Sequence, residues 1–168
     1  MWLPESEDQI QQSLLAGTLS ETSTFDVKRE LPTQGKAKSL AIDVAAMTVD
    51  GGVILYGVDE DENGRPATLS PIVLANARER IDQIVRSTIS EPPQIHVHAI
   101  PSKADLAVGY LAVVVPPSAR APHMVIVGNE YRYYGRSDTG NVILTEGQVA
   151  RLYERRQRWE VDRDALLN

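Results

Sequence analysis

The sequence predicts an α+β fold, with a mixed or antiparallel sheet flanked by helices, in one domain spanning residues 1–168. Two observations lead there. Apolar residues recur at helical spacing in four segments, and in short alternating or continuous runs between them. The order is helix, strand, helix, strand, helix, then several strands and a last helix. The composition, 42% hydrophobic and 24% charged over 168 residues, is that of an ordinary globular chain able to bury a core. No internal repeat, low-complexity tract or second domain is visible.

The elements follow in order. Residues 7–16 read as a helix: Ser6 and Gln9 have capping-box spacing, Ile10 and Leu14 share a face, and Gly17 can end it. Residues 24–28 alternate and read as a strand. After a turn at 32–35, residues 36–49 read as a helix with Leu40, Ala41, Val44, Ala45 and Thr48 in one stripe. Gly51 and Gly52 break it before a buried strand at 53–58, and Glu62, Asn63 and Gly64 form a hairpin-type turn. Ser70 as N-cap and Pro71 at the first helical position predict the start of the third helix. Its apolar face is Ala77, Ile81, Ile84, Val85 and Thr88, and Pro92 stops it. Strands are expected at 95–100 and 110–115, then a hairpin of 124–127 and 131–134 around Gly128 and Asn129. Thr145 and Gln148 form a second capping box. The last helix is expected over about 146–160, burying Val149, Leu152, Tyr153 and Trp159, with frayed polar residues after it.

Composition excludes several chemistries. With no cysteine there is no disulfide, thiol nucleophile or Cys-ligated zinc or iron–sulfur centre. Apolar runs such as 111–115 fall far short of the ~20 residues that span a bilayer. The N-terminus has neither a basic nor an apolar signal region, so a soluble cytoplasmic protein with no membrane partner is expected. The net charge is −6, which argues against a uniformly basic nucleic-acid binder. The charge is uneven, however: residues 1–118 hold 9 basic and 16 acidic residues, whereas residues 119–158 hold 7 basic, all Arg, and 4 acidic. Arginine holds phosphate through two parallel hydrogen bonds and stacks on bases, so residue type matters beside count.

Three acids draw attention. Glu21 precedes the first strand, Asp26 lies on it, and Asp59 follows Gly57 at the end of the next. Converging carboxylates can hold Mg²⁺ or Mn²⁺, which polarise a phosphodiester and activate water. Lys28 shares the strand face of Asp26 and can neutralise phosphate charge. The acidic run 59–64 lacks the closing Glu of a calcium loop and reads as a solvated turn. Gly51 and Gly52 follow a helix rather than a strand, and no Lys-Ser/Thr pair is present, so they do not make a P-loop. His96 and His98 share a strand face without a third ligand. Arg120 and His123 lie in the Arg-rich region, where His123 can reach phosphate. Arg132 and Tyr134 share a face of the stretch 131–137, with Arg136 beside them; Arg on phosphate next to Tyr under a base is a single-strand or RNA contact. Arg151, Arg155 and Arg158 line one helical face, ordinarily a solvated one.

Five pieces in order resemble the Schlafen AlbA-type domain family. They are the acid-spaced strand Glu21-Thr22-Ser23-Thr24-Phe25-Asp26-Val27-Lys28 with Leu31-Pro32; the Ala-rich run Ala45-Ala46 to Gly51-Gly52; the strand Val53 to Gly57-Val58-Asp59; Val115-Pro116 with Pro122-His123; and Tyr133-Tyr134-Gly135-Arg136-Ser137 before a helix. The similarity spans about residues 15–155. It implies nucleic-acid binding to RNA or DNA. Through vertebrate members it implies a metal-dependent endoribonuclease acting on structured RNA such as tRNA, with Glu21, Asp26 and Asp59 as the acids. It also implies a homodimer, because vertebrate members place two such lobes in one horseshoe. Asp26 stands where the family commonly has Glu, one methylene shorter. The rival readings are a non-catalytic DNA- or RNA-binding or transcription-regulatory module, and a protein-interaction domain.

Overall fold

The computed structural model describes residues 2–167, apart from the side chain of Gln34. Helix α1 (Glu7–Leu15) opens the chain, capped as the sequence predicts: Gln9 N–H donates to Ser6 Oγ at 3.4 Å, and Glu5 N–H donates to Gln9 Oε1 at 2.8 Å. Strand β1 (Phe25–Lys28) leads through a single 3-10 turn at Gln34–Lys36 into α2 (Ala37–Met47), then β2 (Gly52–Tyr56). Strands β1 and β2 pair in parallel, Asp26 beside Ile54 and Lys28 beside Tyr56. A parallel pair needs a crossover, and α2 is that crossover.

A hairpin of β3 (Val58–Glu60) and β4 (Pro66–Leu69), the two-residue strand β5 (Ile72–Val73), α3 (Ala77–Thr88), β6 (His96–Pro101) and β7 (Val108–Val115) follow. The main sheet runs β1-β2-β7-β6, with β5 pairing the start of β7 at Val108 and Gly109. A second, antiparallel sheet contains β8 (Met124–Val127), β9 (Glu130–Ser137) and β10 (Gly140–Ile143). Helix α4 (Glu146–Leu167) closes the described chain with a reciprocal cap: Thr145 N–H donates to Gln148 Oε1 at 2.8 Å, and Gln148 N–H to Thr145 Oγ1 at 3.3 Å.

The core has two layers because β2 is buried on both faces. Phe25, Val27, Val53, Leu55, Tyr110 and Ala112 pack toward Ile10 of α1. Ile54, Tyr56, Leu111, Val113 and Val115 pack toward α2 and α3. Alternation along β1 therefore turns Asp26 and Lys28 toward the α2 layer. Helix α2 is covered on nearly all sides, with Val125 of β8 and Tyr134 of β9 in its cluster. Its small Ala41, Ala45 and Ala46 permit that close packing, and a helix buried all round has no polar face to show in its sequence.

Several expectations are corrected. The third helix does not begin at Ser70–Pro71; Ser70 N–H donates to Gly57 O at 2.7 Å, and the β-branched pair Ile72–Val73 joins β7. Sheet pairing thus overrides the local start signal, and α3 begins after Asn76, which adopts φ 58°. The strand expected at 53–58 divides at Gly57, where φ is +101°. Strand β10 was not expected. Helix α4 does not end near residue 160, and its expected side is only half-buried at Val149 and Leu152, with Tyr153 exposed and Trp159 42% exposed. Polar contacts add to these. Arg156 Nη2 meets Glu91 Oε2 at 3.0 Å, and the hydroxyls of Tyr133 and Tyr153 lie 2.7 Å apart.

Gly57 is required where β2 turns into β3. A Cβ there would lie 2.7 Å from the Tyr110 ring and 3.2 Å from Gly109 O, at a φ that side chains rarely adopt. Gly57→Ala is expected to lower unfolding free energy by about 2 kcal/mol or more, read from the urea midpoint at unchanged m-value.

Candidate functional site

The loop before β1 folds back on the strand. Thr22 and Phe25 exchange backbone hydrogen bonds at 2.9 and 3.4 Å, which closes a tight turn. Glu21 is thereby returned to β1, where its Oε1 accepts from Val27 N–H at 3.2 Å. The Arg136 guanidinium clamps the loop, donating to Thr22 O at 2.9 Å and Ser23 O at 3.3 Å.

Behind this loop lies a buried set of charges. Lys28 Nζ is 2.7 Å from Asp26 Oδ2 and 3.8 Å from Asp43 Oδ2 on α2. Asn141 of β10 joins the set, donating to Asp43 Oδ1 at 2.6 Å and accepting from Arg136 at 3.2 Å. Asp26 is 4% exposed, and its Oδ2 has no hydrogen-bond donor; the ammonium is close in distance but not aligned as one.

Electrostatics follow from this crowding. Desolvation is the first cause raising the Glu21 carboxyl to about 7, although the residue keeps solvent contact; a hydrogen-bonding contact with the Asp26 carboxyl and the charges of Asp26 and Glu60 add to it. Burial likewise raises Asp43, against the pull of Lys28. Burial works to lower Lys28, but the charges of Asp43 and Asp26 outweigh it and the ammonium is held above its ordinary value. Tyr56, beneath the pair, is pushed up by burial and then by Asp43 and Asp26.

The predicted acids are only partly assembled. Glu21, Asp26 and Lys28 come together. Asp59 lies on β3, with its Oδ1 accepting from Glu60 N–H at 3.1 Å and its Oδ2 3.4 Å from Arg29. Among the described residues, no three of His, Asp and Glu converge to hold a metal ion. As placed, the trio Glu21, Asp26 and Asp59 does not fit a three-carboxylate centre for Mg²⁺ or Mn²⁺: an ammonium already faces Asp26 Oδ2, and Asp59 faces Arg29.

The predicted nucleic-acid contacts are spread. Tyr134 is 8% exposed and packs in the α2 cluster, so its ring is not presented for stacking. His123 is buried between Ser118 Oγ at 2.8 Å and Glu91 O at 2.6 Å. Its pKa is lowered chiefly by burial, against the pull of the Glu91 carbonyl and carboxylate, with Arg156 and Arg120 lowering it further. Arg136 is committed to its loop. Arg120 is exposed and pairs with Glu91 at 3.1 Å. Arg132 is half in solvent, 3.8 Å from Glu130.

Sequence reasoning missed one member of the buried set. Asp43 could have been found as the one carboxylate inside the apolar run 40–47. Arg151, Arg155 and Arg158 do form the solvated face expected of them; what the sequence did not show is that, among the described residues, none of them has an acidic partner.

The fold and this centre define a class: an α+β domain in which a carboxylate–lysine centre lies where an edge strand, its crossover helix and a second sheet meet. A sequence model of the Schlafen AlbA_2 family matches residues 21–145, and the chain belongs to that family. No curated protein matches it. Among solved structures, its fold is similar to that of the DIP2311 protein from Corynebacterium diphtheriae, with a TM-score of 0.52 at 17% identity. That likeness covers 90% of this chain and 29% of the other, so the chain spans under a third of that protein's length. Among the described residues, no helix is long and apolar enough to cross a membrane.

Two outcomes test this centre. Lys28→Met leaves buried carboxylates without their cation and is expected to lower stability by about 2–3 kcal/mol in urea unfolding, discounted because the ammonium is partly solvated. Glu21 takes up its proton more readily folded than unfolded, so its contribution is fully present below about pH 4.5 and is lost as pH rises through about 7. Glu21→Gln is therefore expected to gain stability over the parent at pH 8 and little at pH 4.5, measured as the difference in melting temperature.

Proposed function

We propose that this chain is a nucleic-acid-binding domain for RNA or DNA, the role its family membership suggests. The observation that carries this reading is the row Arg151, Arg155 and Arg158 on the exposed face of α4. Seven residues of helix rise about 10 Å, a span that reaches neighbouring phosphates of one strand. The guanidiniums have no acidic partner to give up, so phosphate contact breaks no ion pair within the described protein. The exposed apolar stripe of Trp159, Leu166 and Leu167 supports the homodimer that the family resemblance implies.

A second reading, endoribonucleolytic cleavage of structured RNA such as tRNA, is favoured by the Glu21 carboxyl. Its pKa of about 7 suits removal of a proton from a ribose 2′-hydroxyl. The neighbouring Lys28 ammonium suits the charge that develops on phosphate. As placed, Glu21, Asp26 and Asp59 are not gathered around one point for Mg²⁺ or Mn²⁺.

Binding is tested by fluorescence anisotropy with short RNA and DNA strands across a salt series. Replacing Arg151, Arg155 and Arg158 with Ala is expected to weaken binding and to flatten the log–log salt slope by about 2. An unchanged slope removes these arginines from the interface. Cleavage is tested with bulk transfer RNA in Mn²⁺, Mg²⁺ or EDTA, beside a Glu21→Ala/Asp26→Ala double variant. Fragments that survive EDTA and vanish in the variant support Glu21 as base. Fragments lost in both support a metal-dependent enzyme. Intact RNA with a salt-sensitive gel shift leaves the binding function alone.

A further inference from the structure

We propose that the cavity between the N-terminus of the chain and the loop before β1 takes an unpaired nucleobase of a bound strand, a subsite that rests on the nucleic-acid reading above. The cavity holds about 340 Å³ and is bounded by Trp2, Phe25 and the hydroxyl residues Ser13, Thr18, Ser20, Thr22 and Thr24, with Leu19. That volume lies in the range of small-ligand sites.

Its chemistry selects the ligand. Among the described residues, no charged side chain lines the cavity, in a chain that is 24% charged, so it suits a neutral group better than a phosphate. Trp2 supplies a flat wall. Its indole is held edge-on to Phe25 with ring centres 5.6 Å apart, and it remains 40% exposed. Aromatic rings in this setting stack bases without regard to sequence. The hydroxyls supply a polar rim. Thr18 Oγ1 is used by Ser13 O, and Thr22 and Thr24 share a contact of 3.4 Å. The hydroxyls of Ser13 and Ser20 have no partner among the described residues and are free to donate and accept. A planar, uncharged molecule with donors and acceptors along its edge fits all three features, and a nucleobase is such a molecule.

Position connects the cavity to the acids. Ser20 and Thr22 flank Glu21 in the chain, and the Arg136 clamp on Thr22 and Ser23 holds the loop that shapes both places. A base seated on Trp2 directs its own ribose and phosphate toward that loop.

The test uses the full chain in a Trp159→Phe background, where Trp2 is the remaining indole. Its emission and affinity are read with an unstructured ten-nucleotide RNA, and with an abasic ribose–phosphate strand of equal length and charge, at one salt concentration. The RNA is expected to quench Trp2 and the abasic strand to leave it unquenched. Trp2→Ala is expected to weaken RNA binding about tenfold, to leave abasic binding unchanged, and to be largely restored by Trp2→Phe. Quenching by free adenosine 5′-monophosphate equal to that by RNA at matched base concentration upholds the cavity and assigns it to free nucleotide. Equal affinity for both strands with Trp2 unquenched overturns the subsite while nucleic-acid binding stands. Failure to bind either strand overturns both.

Discussion

The Asp26–Lys28–Asp43 set is the constraint on which the arrangement of the layers depends. Asp26 and Lys28 belong to β1, Asp43 to the crossover helix, and Asn141 to the second sheet. Each charged group has lost water, and a lost partner would leave an uncompensated charge inside. The attraction is therefore satisfied in one docking of α2 and β10 against β1, whereas the surrounding Leu, Val and Ala contacts specify that docking only loosely. Arg136 extends the same chain of contacts to the loop carrying Glu21. Four separate elements thus depend on one run of polar atoms.

The same run divides the molecule electrically. Lys28 is paired with two acids and stays only partly in solvent, so the acidic first two-thirds of the chain gathers few cations in one place for a polyanion. Lys36 and Arg78 are exposed without an acidic partner among the described residues, but the free cations gathered on one face lie late in the sequence, on α4, whose length exceeds what the body covers. A net charge of −6 is compatible with phosphate contact when the positive groups are gathered on one projecting helix face. Tyr134 and His123, chosen for chemistry that resembles base and phosphate contact, serve packing and an internal hydrogen-bond pair.

Much of this was legible in the residues. Both capping boxes and the glycine breaks follow local rules that the structure keeps, and the mixed sheet follows from the order of elements. So does the nearness of Glu21, Asp26 and Lys28, because two of them alternate on one strand and the third is joined by a short loop. The misses have a shared physical origin. Ser70–Pro71 carries a sound helix start, yet Ile72–Val73 found a partner in β7 that local reading cannot see. Asp59 is close to the other acids in sequence pattern, but the turn at Gly57 carries it onto a separate hairpin with Arg29 nearby. Asp43 hides in an apolar helix because its partners come from β1 and β10.

The fold-back of residues 21–25 also governs what the protein can join. Strand β1 ends the main sheet, and its outward backbone groups would offer a template to any extended chain. Here the N–H and C=O of Phe25 are taken by Thr22, and the N–H of Val27 by Glu21. The strand's own preceding loop occupies these outward groups, which hinders growth by strand addition along this margin. One carboxylate thereby serves as a chemical group facing Asp26 and as a stopper against edge-to-edge aggregation. The side chain that faces Asp26 therefore also caps a sheet edge, and a Gln in its place would keep that cap, because an amide oxygen accepts the same hydrogen bond.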